Sequence, residues 1–321
     1  MPSLPFASRG LAGAPVAYPE PGELPGSNGT PRSATLIGSS DEARSGIGEA
    51  LGVQSKVGIG VSEPHWIGGP TRYLYAALHR ASVPDAKLAV LLVPPLFHEQ
   101  SRSRRLLTEV ASGLAATGLP TMRFDFFGTG DSAGDSDQVD FTSMCFDLEI
   151  ATSALRLETG VERVAVIAWR GASLPVTRWL REGGHAALVI LWEPVLDGSS
   201  WLMELECQDA AERCSPDRYR LRRRPVEPSA DQQLMGMAVS PRLRSDIAGM
   251  DPACHALAGN HCWAVLRPGS PQPSIVLDRV FDLPADSPTF GGSTRMDSGL
   301  FVTPRLKQVA DELGRALVES G

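Results

Sequence analysis

The chain has 321 residues, 42% of them hydrophobic, and a formal net charge of −7. That length holds one large domain with a sizeable core, and the negative balance excludes nucleic acid or an anionic membrane as the general partner. No uninterrupted apolar run reaches the roughly 18 residues that a bilayer requires, so no membrane span is expected.

Residues 1–62 are rich in Gly, Pro, Ser and Ala, with breakers such as Pro19-Glu20-Pro21-Gly22. Such a composition buries too little apolar area to offset ordering entropy and reads as a disordered arm. Gly58-Ile59-Gly60 lacks the GK[ST] ending and the preceding strand of a phosphate loop. A folded domain is expected over residues 63–321. Residues 73–79 read as a strand, and residues 87–93 (KLAVLLV) as a buried parallel strand. A helix follows over 103–117, with Leu106, Leu107, Val110 and Leu114 on one face. Strands at 121–126, 161–168 and 186–192 alternate with helices at 140–158 and up to about 182. This rhythm predicts right-handed βαβ units and a mainly parallel, doubly wound α/β sheet. Residues 196–250 break it and read as an inserted helical cap with a basic run, Arg218, Arg220, Arg222, Arg223 and Arg224. Strands at 261–266 and 274–280 and a helix at 304–319 complete the chain.

The start of the chain lacks the basic and apolar regions of a secretory signal. Five cysteines, Cys145, Cys207, Cys214, Cys254 and Cys262, form no compact framework and fit reduced thiols in a cytoplasm. Cys254-His255 and His261-Cys262 supply zinc-type ligands, but adjacent side chains diverge on either regular backbone. Neither a metal nor a cofactor is expected. Cys145 reads as helix core.

The most specific segment runs from Asp125 through Gly128, Gly130, Asp131 and Ser132 to Gly134, in the form D-x-x-G-x-G-x-S-x-G. Its glycines permit sharp turns at positive φ, and its Asp and Ser side chains can bond local amides. The segment resembles the loop after the fourth strand of α/β-hydrolases of the serine aminopeptidase type. Pro94-Pro95-Leu96-Phe97-His98-Glu99 with Ser103-Arg104-Arg105, Trp192-Glu193-Pro194-Val195 with Gly198, and Ser240-Pro241 with Leu243 and Asp246 are similar to stretches of small hydrolases associated with bacterial exopolysaccharide and exosortase clusters. The resemblance covers residues 64–321. It implies an α/β-hydrolase fold, and a nucleophile elbow of the form G-x-S-x-G after the third core strand.

That elbow is where this chain departs from the pattern. Aligned without a gap, Ala168-Trp169-Arg170-Gly171-Ala172 puts Arg170 at the nucleophile position, and a guanidinium has no nucleophilic atom at neutral pH. A register shifted by three makes Ser173 the nucleophile, with Pro175 where a small residue should pack. The resemblance also implies a histidine after the last strand, near Met296-Asp297-Ser298-Gly299, yet residues 263–321 contain none. Without an imidazole base a serine hydroxyl stays a poor nucleophile.

Other groups are expected at the same sheet edge. Leu96, Phe97, His98 and Glu99 follow the first core strand, where an oxyanion amide belongs, or form a solvated loop. Glu193 and Asp197 follow the fourth, and Arg170 is read as pairing with one of them or gripping an anionic ligand. Trp169, Trp192 and Trp201 are read around the pocket mouth, with core packing as the alternative. The basic cap run is a solvated helix face, an anion contact or a partner surface. Three readings follow. The first is an α/β-hydrolase-like protein without a standard triad that binds a small acyl or glycan-type ligand, associated with exopolysaccharide biosynthesis. The second is an active esterase, thioesterase or acyltransferase using Ser173. The third is an interaction module recruiting a protein through the N-terminal arm.

Overall fold

The computed structural model describes residues 62–81, 85–214, 232–250, 260–290 and 299–321. In chain order they form β1 (Ser62–Gly69), β2 (Arg72–His79), β3 (Ala89–Val93), α1 (His98–Ala116), β4 (Thr121–Phe124), α2 (Phe141–Thr159), β5 (Val164–Trp169), α3 (Ser173–Arg181) and β6 (Leu188–Trp192). There follow α4 (Gly198–Arg213), β7 (Gln233–Leu234), β8 (Met237–Ala238), α5 (Pro241–Ala248), β9 (Cys262–Leu266), β10 (Arg279–Asp282) and α6 (Pro304–Ser320). The arm expected over residues 1–62 lies outside the described residues, save Ser62, which opens β1. Cys254, His255 and the basic run Arg218–Arg224 lie outside them too.

The main sheet has eight strands in the order β1-β2-β4-β3-β5-β6-β9-β10. β2 runs antiparallel to both its neighbours, and every pairing from β4 onward is parallel. β3, β5 and β6 are buried along their whole length because helices cover both faces. Alternation then sorts their side chains. Leu91, Val93, Val166 and Leu191 meet α2 and α3. Leu92, Ile167, Trp169 and Trp192 meet α1 and α6 on the other face. Two buried cores result, one per face.

α2 is capped at both ends by its sequence. Asp140 accepts from Ser143 N while Ser143 Oγ accepts from Asp140 N, and Gly160 closes the helix at φ +69°. The strand β1 went unread because its exposed and half-buried residues alternate along an edge, with Gly68 at φ +95° near its end. The helix α1 starts five residues before the expected 103, because its first turns (HEQSRSRR) are polar yet buried and carry no apolar period. The last strand is displaced from the expected 274–280 to Arg279–Asp282. Asp278 ties the preceding segment to Cys262 through its backbone N–H and its carboxylate, and the ladder with β9 begins only after it. The cap is not wholly helical, since β7 and β8 form a hairpin turned by Met235 (φ +52°) and Gly236 (φ +81°), the two positive angles of a tight hairpin turn. Among the described residues, no helix is long and apolar enough to cross a membrane.

Candidate functional site at the elbow after β5

The C-terminal ends of the parallel strands converge on the turn between β5 and α3. The chain leaves Trp169 in extended conformation and enters Arg170 at φ +53°, a left-handed value that costs a non-glycine residue about 1 kcal/mol or more. A single 3-10 turn, Arg170–Ala172, leads into α3. Gly171 is required for packing, since a Cβ there would lie 2.2 Å from the Trp201 ring. Trp201 comes from α4 and packs against Phe97, with ring centres 5.7 Å apart. Trp201 therefore lies against the turn from the cap side, and Phe97, from the loop after β3, packs on Trp201.

The Arg170 side chain points back between the strand ends. Its Nε and Nη2 both donate to Glu99 Oε1 at 3.3 Å, and its Nη1 donates to the Glu193 carbonyl at 3.3 Å. Glu99 is 1% exposed. Burial raises its carboxyl above the ordinary range, against the pull of Arg170. Burial works against the Arg170 cation as well, but Glu99, Glu193 and Glu204 outweigh it, and the net shift is upward. The expected partner was the Glu193 or Asp197 carboxylate. Both are engaged elsewhere: Glu193 accepts from Arg267 Nε, and Asp197 caps α4 by accepting from Ser200 N at 2.6 Å.

Ser173 opens α3 fully buried, and its hydroxyl donates to the Val195 carbonyl at 3.0 Å. Pro175 sits in the first turn of α3, where its missing N–H would have had no helical partner anyway. The backbone N–H of Val195 donates to the Arg170 carbonyl at 3.3 Å, so the loop after β6 is stitched to the turn.

Leu96 is buried, and Phe97 precedes α1 at φ +56°. His98 and Glu99 are not a solvated loop but the buried first turn of that helix. Burial, then Arg102 and Arg170, hold the His98 imidazole down at about 4, so it is neutral at pH 7. The loop from Asp125 folds on itself and supports α1. The Asp125 carboxylate accepts from Gln100 Nε2, Arg104 Nη2 and Asp131 N, and Ser132 Oγ donates to the Asp125 carbonyl while accepting from Tyr75 N. Gly130 and Gly128 adopt φ +56° and +72°, and a Cβ on Gly130 would lie 2.1 Å from the Asp125 carboxylate. These residues touch α1 and β2, not the elbow. Trp169 and Trp192 are stacked core rings 4.0 Å apart on the α1–α6 face, which corrects their placing at a pocket mouth.

Sequence reasoning missed Arg267. It follows β9 directly, and besides Glu193 it binds the carbonyls of Ser287 and Pro288. A lone charge immediately after an apolar strand, at the edge where the other parallel strands end, was the signal. Arg170, Glu193, Val195, Trp201, Glu204 and Arg267 line an open cleft of about 310 Å³. His261 is largely exposed and lies 3.2 Å from Asp278, at the start of β9.

No family model matches the chain, and no curated protein matches it significantly. Solved structures do. Est1E from Butyrivibrio proteoclasticus with bound ferulic acid is 13% identical, with a TM-score of 0.53 over 80% of this chain and 98% of its own. A soluble variant of monoglyceride lipase from Saccharomyces cerevisiae in complex with a substrate analogue is 11% identical, with a TM-score of 0.51 over 83% and 98%. DcsB, in complex with its substrate analogue, is 12% identical, with a TM-score of 0.53 over 81% and 99%. The chain has the α/β-hydrolase fold. In an α/β-hydrolase the strand-to-helix turn lifts the nucleophile, and the triad partners follow as acid and then histidine. In this chain the turn between β5 and α3 carries Arg170 at positive φ.

Proposed function

We propose that this α/β-hydrolase-fold protein is not a serine hydrolase, and that it binds a small acyl or glycan-type ligand in the cleft beside Arg170. One observation carries the reading. Arg170 holds the positive-φ position of the elbow with its guanidinium bonded to buried Glu99, while the Ser173 hydroxyl lies buried against the Val195 carbonyl. The absence of histidine from residues 263–321 supports it, since a hydroxyl without a base is weakly nucleophilic. The resemblance to hydrolases of exopolysaccharide clusters supports a role in exopolysaccharide biosynthesis, and the absence of a compact cysteine framework supports a cytoplasmic setting.

Turnover of short-chain p-nitrophenyl esters tests it. Wild type and Ser173→Ala should both stay at the buffer rate, while acyl and oligosaccharide probes perturb Trp201 fluorescence. Ester cleavage by wild type that Ser173→Ala abolishes would establish the active hydrolase instead. Unchanged native complexes after deletion of residues 1–60 would remove the arm as a recruiting element.

A further inference from the structure

A second cleft, of about 290 Å³, lies away from the elbow, lined by Tyr75, Arg104, Arg105, Thr108, Arg123 and Asp131. The register explains it. Arg123 pairs with Ala77 on one side and Leu92 on the other, so it projects to the α1 face of the sheet, as does Tyr75 two residues along β2. Arg104, Arg105 and Thr108 come from α1 beside them. Three guanidiniums therefore face one carboxylate across a small volume. Arg104 is fixed by Asp125 and Asp131, and among the described residues both carboxylate contacts run through Nη2. Arg105, largely exposed, is held along α1 by half-buried Glu109.

Arg123 differs from both. It is partly buried, its Nε is fully buried without a hydrogen-bond partner among the described residues, and its charge helps depress the neighbouring His79. Among the described residues no ion pair to Arg123 is found, so an incoming anion would supply its counter-charge. Guanidiniums suit phosphate oxygens, which accept paired N–H donors. We propose that the cleft between α1 and the β2–β4 strands binds the phosphoryl group of a small phosphorylated ligand, with Arg123 as its central contact and Arg104 and Arg105 on its flanks. The site is independent of the cleft beside Arg170.

Isothermal titration and ³¹P line broadening with inorganic phosphate and with glucose 6-phosphate test it, in phosphate-free buffer with glucose as the uncharged arm. Wild type should bind both phosphates saturably and ignore glucose. Arg123→Gln should weaken binding about tenfold or more, the loss of one charge-assisted contact. Arg305→Gln, which removes the same charge from the exposed start of α6, should not. Arg123→Gln should also keep or raise the melting temperature without phosphate, since it removes one of three cations lining the same cleft. No saturable binding into the millimolar range, equal weakening by Arg305→Gln, or a marked fall in the Arg123→Gln melting temperature would each overturn the assignment.

Discussion

The Arg170 guanidinium lies 3.3 Å from the buried Glu99 carboxylate, joining the turn after β5 to the first turn of α1. Breaking a buried pair by removing one partner strands the other, at a cost of about 3–5 kcal/mol. Arg170→Met should lose that much stability in urea denaturation at pH 8. The loss should shrink at pH 5, because the stranded carboxyl, already raised by burial, rises further and takes a proton. Arg170→Met with Glu99→Leu should regain most of the stability and lose the pH dependence. A single variant as stable as wild type would show that the pair holds nothing together.

Gly171 and Trp201 make a second linked pair. A methyl group at Gly171 would overlap the Trp201 ring, so Gly171→Ala should cost about 1–3 kcal/mol through overpacking. Trp201→Leu should relieve it, and the double variant should be more stable than additivity predicts. Additive losses would mean that the turn does not rest on the cap.

Ser173 is a packing residue on this account. Ser173→Ala removes a hydrogen bond to the Val195 carbonyl and should cost about 1 kcal/mol, measured by the denaturation midpoint, with ligand affinity unchanged. A large change in affinity at unaltered stability would place the hydroxyl in the cleft.

His79 and His98 set the acid response. Burial first, then arginine neighbours, hold both near 4, below the roughly 6.5 of an unfolded histidine. The unfolded chain therefore takes up protons first. This contribution is complete above pH 6.5 and disappears as pH falls toward 4. Asp147 opposes it, because burial pushes its carboxyl up to about 6 despite the Phe127 amide and Arg72, so the folded state gains protons first there. The comparison of variants isolates one histidine. Between pH 7.5 and 4.5, wild type should lose roughly 1–3 kcal/mol more than His79→Gln. Equal losses would contradict a neutral buried imidazole.

Much of this fold was legible because parallel strands buried on both faces read as short apolar runs, as in β3 and β6. The elements that hid did so for physical reasons. An edge strand such as β1 has no buried period, and the opening of α1 buries His98, Glu99, Gln100 and Arg102 through hydrogen bonds and an ion pair rather than apolar contact. At the site, the gapless register identified Arg170 as the residue at the turn. It could not supply the partner, because Glu99 lies 71 positions away and meets Arg170 only when α1 docks on the sheet. Arg267 hid similarly, as one charge after β9 whose acceptors come from the loops after β6 and β10.

An elbow that presents Arg170 and a buried Ser173 offers no usable nucleophile on this proposal. Treating the full chain with a fluorophosphonate and measuring the intact mass tests it most directly. The mass should stay unchanged at long incubation. A stoichiometric phosphonyl adduct mapping to Ser173 would contradict it.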